Sequence, residues 1–187
     1  MLRRVLAFVF KYIIRIRMFF YDKGIFKKVK VPAKVISVGN ISAGGAGKTP
    51  LSIWITQELS ERGLKTALLE KGYKSPLKRD EILILDPEIK RPRTDIIGDE
   101  ASMALRNLRT GSLLCVSKSK SNGASELFKQ ISDLKYIVVD DGFQHLRLER
   151  QLDIVLMSKS MAFKDKMIPM GRLREPYDSL KRANVLL

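Results

Sequence analysis

The segment KVISVGNISAGGAGKTP, residues 34–50, narrows the possible folds of this chain more than any other. A β-branched run reads as a strand, a glycine-rich turn follows it, and residues 48–62 read as a helix ended by Gly63. Glycines at 44, 45 and 47 let backbone N–H groups turn inward around a phosphate, at the positive end of the following helix. Lys48 adds a mobile cation for outer phosphates, and Thr49 a hydroxyl for Mg²⁺. The common G-x-x-x-x-G-K-[ST] spacing wants glycine at 42, where this chain has Ser42. The strand–loop–helix setting is what supports a phosphate loop despite that departure.

Apolar strand-like runs continue to alternate with helical ones. Residues 65–70 and 81–85 read as strands, 99–109 as a helix, 112–117 as a strand and 124–132 as a helix. Residues 136–140 and 153–157 are further strands, 158–176 reads as a long loop, and NVLL at 184–187 as a last strand. The expectation is an α/β, P-loop NTPase-like fold: a mainly parallel sheet with helices on both faces. Its 187 residues suit one domain. Cys115, the lone cysteine, sits in the apolar run SLLCVS and reads as a buried core thiol, so nothing points to an oxidising compartment.

The net charge of +15 is unevenly spread. Residues 1–34 hold ten Lys or Arg against one acid, Asp22, in a segment that is also strongly apolar. Leu2, Leu6, Val9, Ile13, Ile16 and Phe20 recur at steps of four and three. At ~100° per residue they fall within about 80° of one another, with Arg4, Lys11 and Arg15 opposite. The charges at 11, 15 and 17 exclude a spanning helix, and no small-residue cleavage site marks a signal peptide. Residues 1–30 are therefore expected to form a basic amphipathic helix in the membrane interface, its cations towards anionic headgroups, and residues 31–187 the core. The alternative is a helix packed on its own domain or on a partner. Nucleic acid is not expected, since its binding faces rarely carry an aliphatic stripe.

A second site element lies at the end of YIVVDD, where an apolar strand finishes in Asp140 and Asp141. Beside a phosphate loop, an acid at a strand end holds Mg²⁺ or its water shell, the role expected of Asp140. His145, the only histidine, follows in DDGFQH at the edge of this site.

With SVGNISAGGAGKTP, EKGYKS, IGDEA, VVDDGFQHLRLERQLDIVLM and GRLREP in hand, the chain resembles the tetraacyldisaccharide 4'-kinase family of lipid A biosynthesis along nearly all its length. Ser42 is typical of that family. The resemblance implies transfer of the γ-phosphate of ATP to the 4'-hydroxyl of an acylated glucosamine disaccharide 1-phosphate, giving lipid IVA, at the cytoplasmic face of the inner membrane. It implies that Gly44, Gly45, Ala46, Gly47, Lys48 and Thr49 hold the ATP phosphates, with Thr49, Asp140 and Asp141 at Mg²⁺. It further implies that Asp99 is general base on the sugar hydroxyl, that Lys48 and Asp140 share in catalysis, and that Gln144, Arg174 and Glu175 line the nucleotide and catalytic site. Departures are Lys71 and Lys74 where the family prefers Arg and Gly, Ala101 for proline, and Met170 and Arg172 in the LREP loop. Family members continue past residue 187 into a second lobe with closing strands and a histidine that assists the aspartate. Two other readings stay open: an ATP–Mg²⁺-binding lobe without transferase activity, and a membrane-attached P-loop ATPase of the partition type. The latter carries a lysine where this chain has Ala43.

Overall fold

A computed structural model describes residues 1–73, 75–78, 81–88, 94–157 and 165–187. Lys74 and the first part of the expected loop, residues 158–164, lie outside the described residues.

The β-branched and leucine-rich runs pair as strands. These are β1 (Lys34–Gly39), β2 (Thr66–Lys71), β3 (Ile82–Leu85), β4 (Ser112–Ser117), β5 (Tyr136–Asp140), β6 (Leu152–Val155) and β7 (Val185–Leu186). They form one sheet in the order β3-β4-β2-β5-β1-β6-β7, parallel throughout except for β3, which runs antiparallel to β4. The expected mainly parallel sheet is therefore present.

Both faces of the sheet are apolar because both are covered. Val38, Leu68, Leu114, Val116 and Val138 point to one side. There they meet α2 (Lys48–Glu61), the short α3 (Thr94–Ile97) and α4 (Asp99–Asn107) through Ile53, Ile97, Ala101, Ala104 and Leu105. Val35, Ala67, Leu69, Cys115, Ile137 and Val139 point to the other, against Ala124 and Leu127 of α5 (Lys120–Gln130). Adjacent strand residues alternate between the faces, as a two-residue period requires. Helix α5 begins four residues earlier than its sequence pattern suggests. Ser119 caps it by accepting a bond from the Asn122 amide, and Gly123 is there for closeness, since a Cβ would stand 2.8 Å from Leu69 and 3.0 Å from Ser117.

The first helix, α1 (Leu2–Asp22), is amphipathic in an instructive way. Ala7 is buried with Ile41, Phe143, Val155, Met167 and Leu173, and Phe10 packs against the same cluster. Most of the expected stripe faces outward: Leu2, Leu6, Val9, Ile13 and Ile16 are exposed, Ile13 by 56%, whereas Phe20 is half-buried against Phe26. The cations differ from expectation. Arg15 is turned onto the protein itself, where it pairs with Asp178, and Lys11 and Arg15 line a cavity of about 470 Å³ between α1 and the segment 165–178. Among the described residues no helix is long and apolar enough to cross a membrane. Residues 165–176 form an irregular segment that pairs locally through Leu173 with Ser42 and Met167, then enters a 3₁₀ turn, Tyr177–Arg182, before β7.

Leu68 is fully buried at the centre of the sheet, so Leu68→Ala should lower the unfolding free energy by roughly 2–5 kcal/mol. Ile13→Ala on the exposed stripe should change it by less than about 0.5 kcal/mol. Urea denaturation measures both.

Candidate active site

Pairing of β1 with β5 builds the site. Val38 lies opposite Asp140 in the register, so the loop that leaves β1 and the carboxylates that end β5 emerge side by side. Gly47 caps α2 with φ of 74°, a left-handed conformation that glycine adopts without strain, and α2 opens at once with Lys48 and Thr49. Thr49 Oγ1 donates to Asp140 Oδ2 at 2.7 Å. One turn later Ser52 Oγ, fully buried, lies 2.7 Å from Asp140 Oδ1 and 3.0 Å from the Lys48 carbonyl. Asp140 is thus gripped on both oxygens by the helix that carries the phosphate loop. Nothing in the sequence spacing singles out Ser52; only the fold places it.

Asp141 is held differently. Its φ of +45° is rare for a residue with a side chain. Arg174 forks onto both its oxygens at 2.8 and 2.7 Å and also donates to the Asn40 side chain. Lys48 Nζ lies 3.6 Å from Asp141 Oδ1 and donates to the Gly44 carbonyl at 3.4 Å. Burial alone would push the Asp141 carboxyl up, but the Arg174 hydrogen bonds and the charges of Arg174 and Lys48 outweigh it and hold the group well below the usual carboxylate range. Expected beside Asp140 at a metal, Asp141 here has both oxygens committed to a guanidinium.

Two cavities meet along this acidic edge. One, about 350 Å³, is lined by residues 44–50 together with Glu100, Met103, Asp140 and Asp141. The other, about 330 Å³, shares Glu100, Asp140 and Asp141 and is completed by Glu70, Lys120, His145 and Arg174 among others. Gln144 lines it too, its side chain fixed by a 2.8 Å bond to the Asn40 carbonyl. Burial raises the Glu70 carboxyl well above its ordinary value, helped by the charge of Asp140. Burial also pulls the Lys120 ammonium down, opposed by Glu70 and Asp140.

The remaining candidates separate. Asp99 is the first residue of α4, exposed, at the positive end of a helix; its neighbour Glu100 is the acid that lines both cavities. Gly98 sets their direction: its φ is +88°, and a Cβ there would stand 2.5 Å from the Tyr73 carbonyl. Glu175 lines neither cavity. It is buried and bonded by Arg182, whose guanidinium lies 4.2 Å from the centre of the Phe143 ring. Among the described residues the Thr49 hydroxyl and Asp140 stand together as oxygen donors that a divalent cation could use, with Glu100 and Asp141 on the same cavity wall. Among the described residues no three Asp, Glu, His or Cys side chains stand close enough together to hold a metal ion by themselves; Mg²⁺ tolerates so sparse a donor set because it keeps waters and phosphate oxygens around itself.

A parallel sheet carrying a glycine loop at the head of a helix, with a gripped aspartate on the adjacent strand end, defines a P-loop NTPase-like protein. Comparison with known proteins narrows the class. The family model of LpxK, tetraacyldisaccharide-1-P 4'-kinase, matches residues 1–187. The tetraacyldisaccharide 4'-kinases of Chlorobium phaeobacteroides and Chlorobaculum tepidum are each 36% identical to this chain, over 98% and 100% of it and 52% and 53% of their own lengths. That of Pasteurella multocida is 35% identical over 97% of this chain and 54% of its own. A crystal structure of LpxK from Aquifex aeolicus in complex with ATP superposes with a TM-score of 0.87 at 34% identity, covering all of this chain and 58% of that one. The chain belongs to the tetraacyldisaccharide 4'-kinase family. It spans about half the length of the curated relatives it matches.

His145 gives the site a clean probe, since it is the only histidine. Burial first, then the charges of Lys120 and Lys71, lower it to about 3. An unfolded histidine protonates near pH ~6.5, so the stability gained by keeping the ring neutral is complete above that pH and falls as the pH drops towards the folded value. The ring resonances should not titrate by NMR between about pH 8 and 5; a midpoint near ~6.5 would mean the ring is solvated as in a free chain.

Proposed function

We propose that this chain binds ATP with Mg²⁺ and carries the phosphoryl-transfer site of a tetraacyldisaccharide 4'-kinase, which passes the γ-phosphate to the 4'-hydroxyl of an acylated glucosamine disaccharide 1-phosphate to form lipid IVA. The observation that carries this reading is the meeting of two polar cavities along Glu100, Asp140 and Asp141, one walled by the phosphate loop. Donor and acceptor can then approach from opposite sides of one acidic edge, the in-line arrangement that the chemistry needs. ATP in the Aquifex relative supports the donor, and the family name supports the acceptor.

Amides of residues 44–49 and the Lys48 ammonium neutralise the outer phosphates. Thr49 and Asp140 would hold Mg²⁺, which supplies further charge neutralisation on the phosphate oxygens. Ser52 keeps the Asp140 carboxylate from rotating. Asp99 accepts the proton of the sugar hydroxyl as its oxygen forms the new P–O bond and the bond to the ADP leaving group breaks. Gln144 and Arg174, expected at the nucleotide, line the second cavity beside Asp140 and Asp141.

Residues 1–30 serve as the membrane-interface element and 31–187 as the kinase core. The outward apolar stripe of α1 supports residence on the cytoplasmic face of the inner membrane, where a lipid acceptor lies. The exposed stripe alone supports this reading, since Ala7, Phe10 and Arg15 pack the other face of α1 on its own domain.

Radiolabelled γ-phosphate should pass from ATP to the disaccharide lipid in the presence of Mg²⁺. Lys48→Ala should lower the rate by roughly 10²–10³ or more, and Asp99→Ala should reduce it with nucleotide binding intact. Magnesium-dependent ATP binding by a folded chain without transfer would assign it the nucleotide-binding role alone. Hydrolysis independent of lipid and stimulated by dimerisation would point to the partition-type ATPases.

A further inference from the structure

Two strand ends beside the second cavity are tied together by a side chain that the proposed chemistry does not use. Register pairs Lys71 with Ser117, so β2 and β4 finish side by side, and Lys118 is the first residue beyond β4. Its ammonium donates to two carbonyls of the chain leaving β2, Gly72 at 2.5 Å and Ser75 at 2.8 Å. One ammonium with three donors on a long stem can serve both at once, and its charge strengthens each bond. Ser75 Oγ also donates to the Gly72 carbonyl at 2.9 Å, and the Gly72 amide donates to the Ser117 carbonyl at 3.3 Å. Gly72 leaves no space for a side chain, since a Cβ would stand 2.6 Å from Ser75 Oγ.

Tyr73 carries the effect onward. Its carbonyl oxygen stands against Gly98, where an added Cβ would be only 2.5 Å away. Gly98 is the N-cap of α4. Its amide donates to the Thr94 carbonyl at 2.7 Å, and its carbonyl accepts the first bond of the helix from the Ser102 amide at 3.0 Å. The next two residues are Asp99 and Glu100, the latter on the wall of both cavities. Contact this close passes position along: the Tyr73 carbonyl cannot move towards α4 without pushing Gly98, nor withdraw without leaving it unsupported.

We propose that Lys118 is a positioning residue for the acids that open α4. By holding Gly72 and Ser75 it fixes the Tyr73 carbonyl, and that carbonyl fixes Gly98 and with it the place of Asp99 and Glu100 beside the acidic edge. The effect on phosphoryl transfer rests on the kinase reading above, in which Asp99 takes the proton of the acceptor hydroxyl. The effect on α4 does not depend on that reading.

Amide hydrogen exchange followed by NMR on the full chain, joined to the phosphoryl-transfer assay, tests the assignment. Lys118→Met keeps the aliphatic stem and removes the donors. Exchange at the Gly98 and Ser102 amides should quicken about tenfold. The Leu51 amide, which makes the equivalent first-turn bond of α2 to the Gly47 carbonyl, should exchange as in the wild type. Turnover should fall about ten- to a hundredfold with the KM for ATP unchanged, because the phosphate loop hangs on β1 and α2. Lys118→Arg still offers donors to both carbonyls and should stay within about threefold of the wild type in both measurements. Ser75→Ala removes a single hydroxyl from the same assembly and should quicken exchange at the same two amides about threefold, so the proposal stays testable if the Met variant does not fold. Thermal melts matching the wild type establish that each variant is folded. Unchanged exchange at Gly98 and Ser102 in a folded variant lacking the donors, or equal quickening at Leu51, would overturn the assignment. A wild type that transfers no phosphate would remove the kinase reading, and the exchange rates would still decide whether Lys118 holds α4.

Discussion

Two hydroxyls on the first two turns of α2 and one carboxylate at the end of β5 hold the working parts of this molecule together. Thr49 and Ser52 each reach an oxygen of Asp140, so the phosphate loop and the acidic strand end are tied by bonds as well as by the sheet. A buried carboxylate is tolerable only when its lone pairs are met, and here both oxygens are. Remove that tie and the glycine loop would still lead into a helix, but its position relative to Asp140 would rest on strand pairing and the apolar packing of α2 alone. The second grip, Arg174 on Asp141 and Asn40, adds the segment beyond β6 to the same assembly. Residues far apart in the chain are thereby fixed around a single acidic edge.

Much of this could be read before any coordinates. The strands announced themselves through β-branched runs, and the order strand, glycine loop, helix gave the position of the loop at the carboxyl end of β1. Asp140 could be placed because a strand that ends in an acid beside such a loop has few other uses. The outward stripe of α1 followed from periodicity, but its inner face did not: Ala7 and Phe10 are apolar too, and only contact with Ile41, Phe143 and Leu173 separates them from the exposed residues.

What escaped the sequence depends on tertiary closeness. Ser52, Glu100 and Lys120 have no spacing that marks them, and each matters through what the fold brings near it. Glycine at 123 resembles a helix breaker, yet it lies inside α5 because Leu69 and Ser117 leave no room for a side chain. The antiparallel direction of β3 is invisible in ILIL, since four apolar residues read alike in either sense. The four-residue α3 and the 3₁₀ turn are too short to carry a period at all.

Lys48 rests against Asp141 and the Gly44 carbonyl. In the ATP binding proposed above, an incoming phosphate would compete with Asp141 for that ammonium, and its affinity would be the surplus over that partnership. Such an arrangement sets an entry threshold. On that proposal a polyanion would gain more than a singly charged ion by displacing Asp141 from the lysine, so discrimination would begin with a contact broken before any new one is made.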